Sequence, residues 1–274
     1  MASRMHTIGP QAGYQHTHTI IFLHGRDSTN EEFANELFES ESSPGRCNGG
    51  QGRTLPALLP SVRWVFPAAP LLRSERFDTV MSQWFDMWSA DRPQERVEIQ
   101  IDGLKRSVDL LLEVIQAEEA ILPRQNIFLA GISQGFALAL ASFFADGQGF
   151  AGLLGLCSWM PFSNVLGDVG VSIGEDIELR TVQGVFASRL SMDRANSPGA
   201  LKSTPIFLGH ASDDEVVPVE NGKRMHYVLR HRLQLDVEFH EYPEGGHWVN
   251  EPQGLDDMVD FFRCHMALDV AGRQ

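Results

Sequence analysis

Short, nearly unbroken apolar runs alternate along the chain with longer stretches in which apolar residues return every three or four positions. The first pattern predicts strands buried on both faces, and the second predicts helices with one apolar side. "HTIIFLHG" (18–25) reads as a strand ending in a turn, and "NEEFANELFES" reads as a short helix starting near Asn30. The polar, glycine-rich "ESSPGRCNGGQGRT" (41–54) leads to the proline-ended strand "VRWVFPAAP" (62–70). Between Pro93 and Glu119, Val97, Ile101, Leu104, Val108, Leu111, Leu112 and Ile115 mark one face of a long helix. Strands follow in "NIFLA" (126–130), "AGLLGLCSWM" (151–160), "TPIFLGH" (204–210) and "LDVEFHEY" (235–242). Helices are read in 136–145, in 218–233 and in "LDDMVDFFRCHMAL" (255–268). This alternation predicts an α/β fold, a mostly parallel central sheet with helices on both faces, built as one domain over 1–274.

One segment breaks the rhythm. Residues 162–203 separate two core strands by far more than the roughly 2–6 residues usual in such folds. A helix is expected within 173–192, with Ile177, Val182, Val185, Phe186 and Leu190 loosely on one side. It is either a lid-like insertion over a pocket or a helix patching an exposed edge.

Composition narrows the function. Hydrophobic residues make up 43% of the 274 and charged residues 21%, enough apolar material for a sizeable core. A formal charge of −14 repels phosphate backbones and anionic headgroups, so no nucleic-acid partner is expected. No apolar stretch is long enough to predict stable membrane insertion. Three widely spaced cysteines, Cys47, Cys157 and Cys264, and an N-terminus without an apolar core point to reduced thiols and a cytoplasmic setting.

Candidate chemistry sits where strands end, the place where functional loops gather in open α/β sheets. In "GISQG" (131–135), Ser133 lies between glycines at the junction of a strand and a helix. Such a sharp turn holds a hydroxyl out at the sheet edge. Asp213 and Asp214 follow the strand "TPIFLGH", and His247 follows the strand ending near Tyr242. A serine hydroxyl needs a neighbouring base, histidine can take and return its proton, and a carboxylate can orient the histidine. The pattern leaves Asp213 and Asp214 as alternatives. Two backbone N–H groups are expected to hold an oxyanion, those of Gln134, after the serine, and of Arg26, in "LHGRDS". His24 is expected to order that loop. His16 and His18 share one face of a strand start but lack a clustered third ligand, so no metal site and no cofactor are expected.

These blocks resemble the acyl-protein thioesterase and carboxylesterase branch of the α/β-hydrolases. The similarity lies in "FLHGRDS", "WVFPAAP", "FDTVMSQWFDMW", "GISQG", "GHASDDEVVP" and "YPEGGHWV", which run in the family's order from about residue 18 to 266. The resemblance implies an α/β-hydrolase fold and a serine hydrolase of carboxylic esters or thioesters. Lysophospholipids and acylated proteins are further substrates it implies, and homodimerisation is a further expectation. It also implies that Asp214, three residues before Val217-Pro218, is the acid, and that Met81 or Trp84 lines an acyl pocket. Phe136 stands where the family usually has a second glycine, and there it is expected to narrow the acyl channel. Together with the possible lid, this favours small or medium-chain substrates. A silent binding module would be expected to have lost one of Ser, Asp or His, and this chain keeps all three.

Overall fold

The computed structural model describes residues 5–46, 52–163, 179–190 and 198–271. Its central sheet takes strands β1 (Met5–Ile8), β2 (His18–Leu23), β3 (Val62–Pro67), β6 (Ile127–Ile132), β7 (Gly152–Leu156), β8 (Ile206–Ala211) and β9 (Val237–Tyr242). They lie in the order β1-β3-β2-β6-β7-β8-β9. Edge strand β1 runs antiparallel to β3, and every other pairing in the sheet is parallel. Strands β4 (Leu71–Ser74) and β5 (Thr79–Ser82) form a separate antiparallel hairpin.

Two-residue periodicity gives each buried strand two working faces. Ile21, Leu23, Leu129, Leu153 and Leu208 point to the side covered by α3 (Ile101–Glu119) and α4 (Gln134–Asp146). Ile20, Phe22, Phe128, Leu154 and Phe207 point to the opposite side, covered by α1 (Asn30–Glu39), the short α2 (Leu55–Leu58) and the C-terminal helix α8 (Gln253–Ala271). Helix α4 is buried at every position, which is why its sequence carries no polar face. The α3 stripe begins later than the periodicity suggests, because Val97–Ile99 forms a 3-10 turn ahead of it.

Among the elements that escaped the sequence reading are β1 and the hairpin β4–β5, whose strands have four residues each. Within the long insertion, the described helix α5 (Leu179–Leu190) packs into the core beside α4. Val182, Phe186 and Leu190 are fully buried, and the Phe186 ring stacks on Phe144 with centroids 5.2 Å apart. A short helix α6 (Pro198–Lys202) precedes β8. Ile177 and Cys47 lie outside the described residues. Helix α7 (Val219–Tyr227) continues into a π-helical turn over Val228–Arg232. No helix among the described residues is long and apolar enough to cross a membrane.

Candidate active site

Strand β6 runs straight into α4 with one residue between them, and that residue is Ser133. Its φ of 55° and ψ of −125° lie in a region that residues with a Cβ avoid. Strain of this kind costs on the order of 1–3 kcal/mol and persists only where the surroundings impose it. Here Ser133 N–H donates to Leu156 O at 2.8 Å, and Ser158 Oγ–H donates to Ser133 O at 2.7 Å. Gly135 lets the first turn of α4 press against the end of β2. A Cβ there would lie 2.4 Å from Leu23 O and 2.5 Å from His24 O.

Asp214 follows β8 and is held at both oxygens. Oδ1 accepts the Val216 and Val217 N–H groups, each at 2.9 Å. Oδ2 accepts His247 Nδ1–H at 2.8 Å. Burial alone would raise the Asp214 pKa. Hydrogen bonds from His210 and His247, the charge of His247 and the Val217 amide outweigh it and hold the carboxyl well below its usual range. His210 Nε2–H faces Val217 O at 2.8 Å and Asp214 Oδ2 at 3.3 Å, a second support that the residue pattern did not reveal.

The two aspartates divide the work. Asp214 bonds the His247 ring, while Asp213 Oδ1 accepts Gly246 N–H at 2.8 Å and braces the loop that carries His247. That loop turns through Gly245 and Gly246, at φ 138° and 59°. With Nδ1 engaged, Nε2 is the ring nitrogen left to the pocket that His247 and Ser133 both line. Cys157, just past β7, lies beneath the same loop, its Sγ 3.4 Å from Trp248 O. Burial and the Asp214 carboxylate push its thiol up, so it is neutral.

The loop after β2 is tied down by His24. Its Nδ1–H donates to Gly25 O at 2.7 Å, and its Nε2 accepts Ala69 N–H at 3.1 Å. Burial pushes the His24 pKa down to about 4, which agrees with a ring that must stay neutral to accept that amide. The Arg26 side chain reaches away from the loop to the hairpin. Nη2 donates to Ser74 Oγ at 2.9 Å, Nε to Met81 Sδ at 3.2 Å, and the guanidinium lies 5.1 Å from the Phe77 ring centroid. At the start of α4, the Gln134 side chain accepts Trp84 N–H at 2.8 Å and donates to Phe85 O at 2.7 Å.

The pocket has a volume of about 370 Å³. Met81 lines it, together with Phe33, Phe77, Met87 and Trp248, which the sequence reading had not singled out. Trp84 and Phe136 do not line it. Trp84 is fully buried and donates its Nε1–H to His24 O at 2.8 Å, so it bolts the His24 loop to the segment before α3. Phe136 is fully buried in the core and packs its ring on Gly155 of β7, where a Cβ would come within 2.4 Å of it. Its ring is therefore enclosed in the core and does not narrow the pocket. None of the described residues of 162–203 lines the pocket, whereas Phe77 and Met81 of the hairpin do. His16 and His18 bond the Thr19 and Thr17 hydroxyls, each at 3.0 Å.

The strand order and the strand-to-helix turn at Ser133 define an α/β-hydrolase fold. The chain belongs to the Phospholipase/Carboxylesterase family, whose pattern it matches over residues 49–177 and 180–266. Acyl-protein thioesterase 1 of Gibberella zeae is 28% identical over 257 residues, covering 92% of each chain. Acyl-protein thioesterase 1 of Mycosarcoma maydis is 26% identical over 267 residues, covering 93% of each. Among solved structures, Zea mays acyl-protein thioesterase 2 superposes with a TM-score of 0.69 at 20% identity, covering 96% of this chain and 99% of that one. Arabidopsis thaliana SOBER1 gives 0.63 at 23%, covering 91% and 99%.

Proposed function

We propose that the protein is a serine hydrolase that cleaves carboxylic esters or thioesters of acyl chains through an acyl-enzyme. The observation that carries this reading is the 2.8 Å bond from His247 to Asp214 on a ring that shares an apolar pocket with Ser133. Ser133 Oγ attacks the acyl carbonyl while His247 Nε2 takes its proton, and the ionised Asp214 stabilises the imidazolium that forms. The N–H groups of Arg26 and Gln134 hold the oxyanion, the latter at the positive end of α4. Each such donor is worth roughly 10²–10³ in rate. His247 then protonates the leaving alcohol or thiol. Water, deprotonated by His247, releases the acid and restores Ser133.

The substrate preference rests on the pocket rather than on Phe136. A volume of about 370 Å³ lies near the lower end of the roughly 300–1,000 Å³ of small-ligand sites. Its lining by Phe33, Phe77, Met81, Met87 and Trp248 suits a small or medium acyl chain. A depalmitoylase or lysophospholipase is the second reading, favoured by Leu71, Phe77 and Val80, which stay exposed on the hairpin and extend apolar surface beyond the pocket. The unpaired thiols of Cys157 and Cys264 support a cytoplasmic setting.

The test compares wild type with Ser133→Ala on p-nitrophenyl esters and acyl thioesters of increasing chain length. The expected loss approaches the roughly 10⁶ seen when a working nucleophile is removed, with wild-type rates peaking at short or medium chains. A peak at the C16 thioester selects the second reading. Unchanged activity in the variant removes Ser133 from the mechanism.

A further inference from the structure

Cys157 has no part in the hydrolysis proposed above, yet it stands against its centre. One ligand atom each from Cys157, Asp214 and His247 lies within 4.8 Å of the other two. We infer that these three side chains form an inhibitory site for a thiophilic divalent cation, Zn2+ by preference. The inference rests on the hydrolase reading only for its consequence, inhibition; binding itself does not depend on it.

Charge, ligand type and orientation all point the same way. A Cys157 thiolate and the Asp214 carboxylate carry two negative charges, which one divalent cation cancels where lone charges are costly. Thiolate, imidazole and carboxylate together suit zinc, whereas Mg2+ and Ca2+ seek oxygen alone. Three protein ligands leave a fourth position for water. Asp214 is already oriented by the Val216 and Val217 amides at Oδ1, and His210 Nε2–H lies 3.3 Å from Oδ2, the kind of outer support that ligating groups have. The His247 side chain keeps 24% of its surface accessible, so the ion enters past its ring.

On binding, Cys157 gives up its thiol proton to water and Sγ bonds the ion. His247 bonds through Nδ1, whose proton is lost while Nε2 takes one from water, leaving the ring neutral. Nε2 then bears a hydrogen and cannot accept the Ser133 proton, so hydrolysis stops. The cation occupies the nitrogen that the 2.8 Å bond to Asp214 otherwise uses.

The experiment titrates Zn2+, Mg2+ and Ca2+ into wild type, Cys157→Ala and Cys157→Ser during turnover of a short p-nitrophenyl ester. Zn2+ binding is measured in parallel by equilibrium dialysis, and Co2+ is added to wild type to look for a thiolate-to-metal charge-transfer band. Micromolar Zn2+ should inhibit wild type while Mg2+ and Ca2+ do not. Both variants should keep the uninhibited rate and need at least about tenfold more Zn2+ for inhibition. Equal Zn2+ sensitivity in the variants, or Co2+ binding to wild type without the thiolate band, overturns the site. Should no ester be turned over, the dialysis and the Co2+ band still decide it, which separates its failure from that of the hydrolase reading. Should the variants not fold, the band on wild type decides alone.

Discussion

Helix α5 and the hairpin β4–β5 both stand outside the central sheet, and they use apolar side chains in opposite ways. In α5, Val182, Phe186 and Leu190 are wholly buried against α4 and its neighbours. In the hairpin, Leu71, Phe77 and Val80 remain 73%, 54% and 58% exposed. The helix is held by an interlocked core, whereas the Arg26 side chain reaches the hairpin by two hydrogen bonds and a ring contact. An apolar residue whose surface is already covered stabilises the fold. The same kind of residue left uncovered beside the pocket is free to cover a ligand. The length of an insertion is a poor guide to which of these it does.

Phe186→Ala should break this comparison most visibly. Truncating a buried phenylalanine costs about 3–5 kcal/mol. Denaturant unfolding should show that loss while kcat/KM per folded molecule stays close to wild type; an equal shift in chain-length preference would make α5 part of the pocket. The next effect lies in the loop after β2, from which the Arg26 side chain reaches the hairpin. His24 resists protonation in the fold, its pKa falling from 6.5 to about 4, while the unfolded chain takes up the proton. Its contribution is therefore complete above pH 6.5 and shrinks as pH falls towards 4, by about 3 kcal/mol. Unfolding measured across that window should show a slope that His24→Gln flattens.

Arg26→Met should follow. It keeps the backbone N–H but removes the bonds to Ser74 and Met81, so KM for longer acyl chains should rise about tenfold, or roughly 1.4 kcal/mol, with little change in stability. A stability loss to rival that of Phe186→Ala would show that the hairpin belongs to the core. Phe77→Ala should be smallest, a few-fold loss on long-chain esters and none on the acetate, since an exposed ring contributes only when a chain lies against it.

The strands and helices that bear the site were legible because each announces itself locally. Unbroken apolar runs mark β2, β6, β7 and β8, and the residues around Ser133, Asp214 and His247 stand just past strand ends. The hairpin was not legible, because its strands have four residues each and leave Leu71 and Val80 exposed, so neither shows a buried apolar run. Phe136 was misplaced for a different reason. Whether its ring points to a channel or into the core depends on Gly155, a residue on the neighbouring strand that no local pattern connects to it. The same holds for Cys157, a plain thiol in sequence that only the folding of β8 and the His247 loop brings to Asp214.

The packing of Phe136 on Gly155 couples two positions by size. Space missing at one is supplied at the other, so the pair behaves as a single volume shared between α4 and β7. Enlarging residue 155 alone would push on the helix turn that begins at Ser133, and a catalytic defect would arise from a residue that touches no substrate. Gly155→Ala paired with Phe136→Leu should recover what Gly155→Ala loses by itself. A designer who wished to widen this enzyme's substrate range would thus gain nothing from trimming Phe136, and would do better at the hairpin.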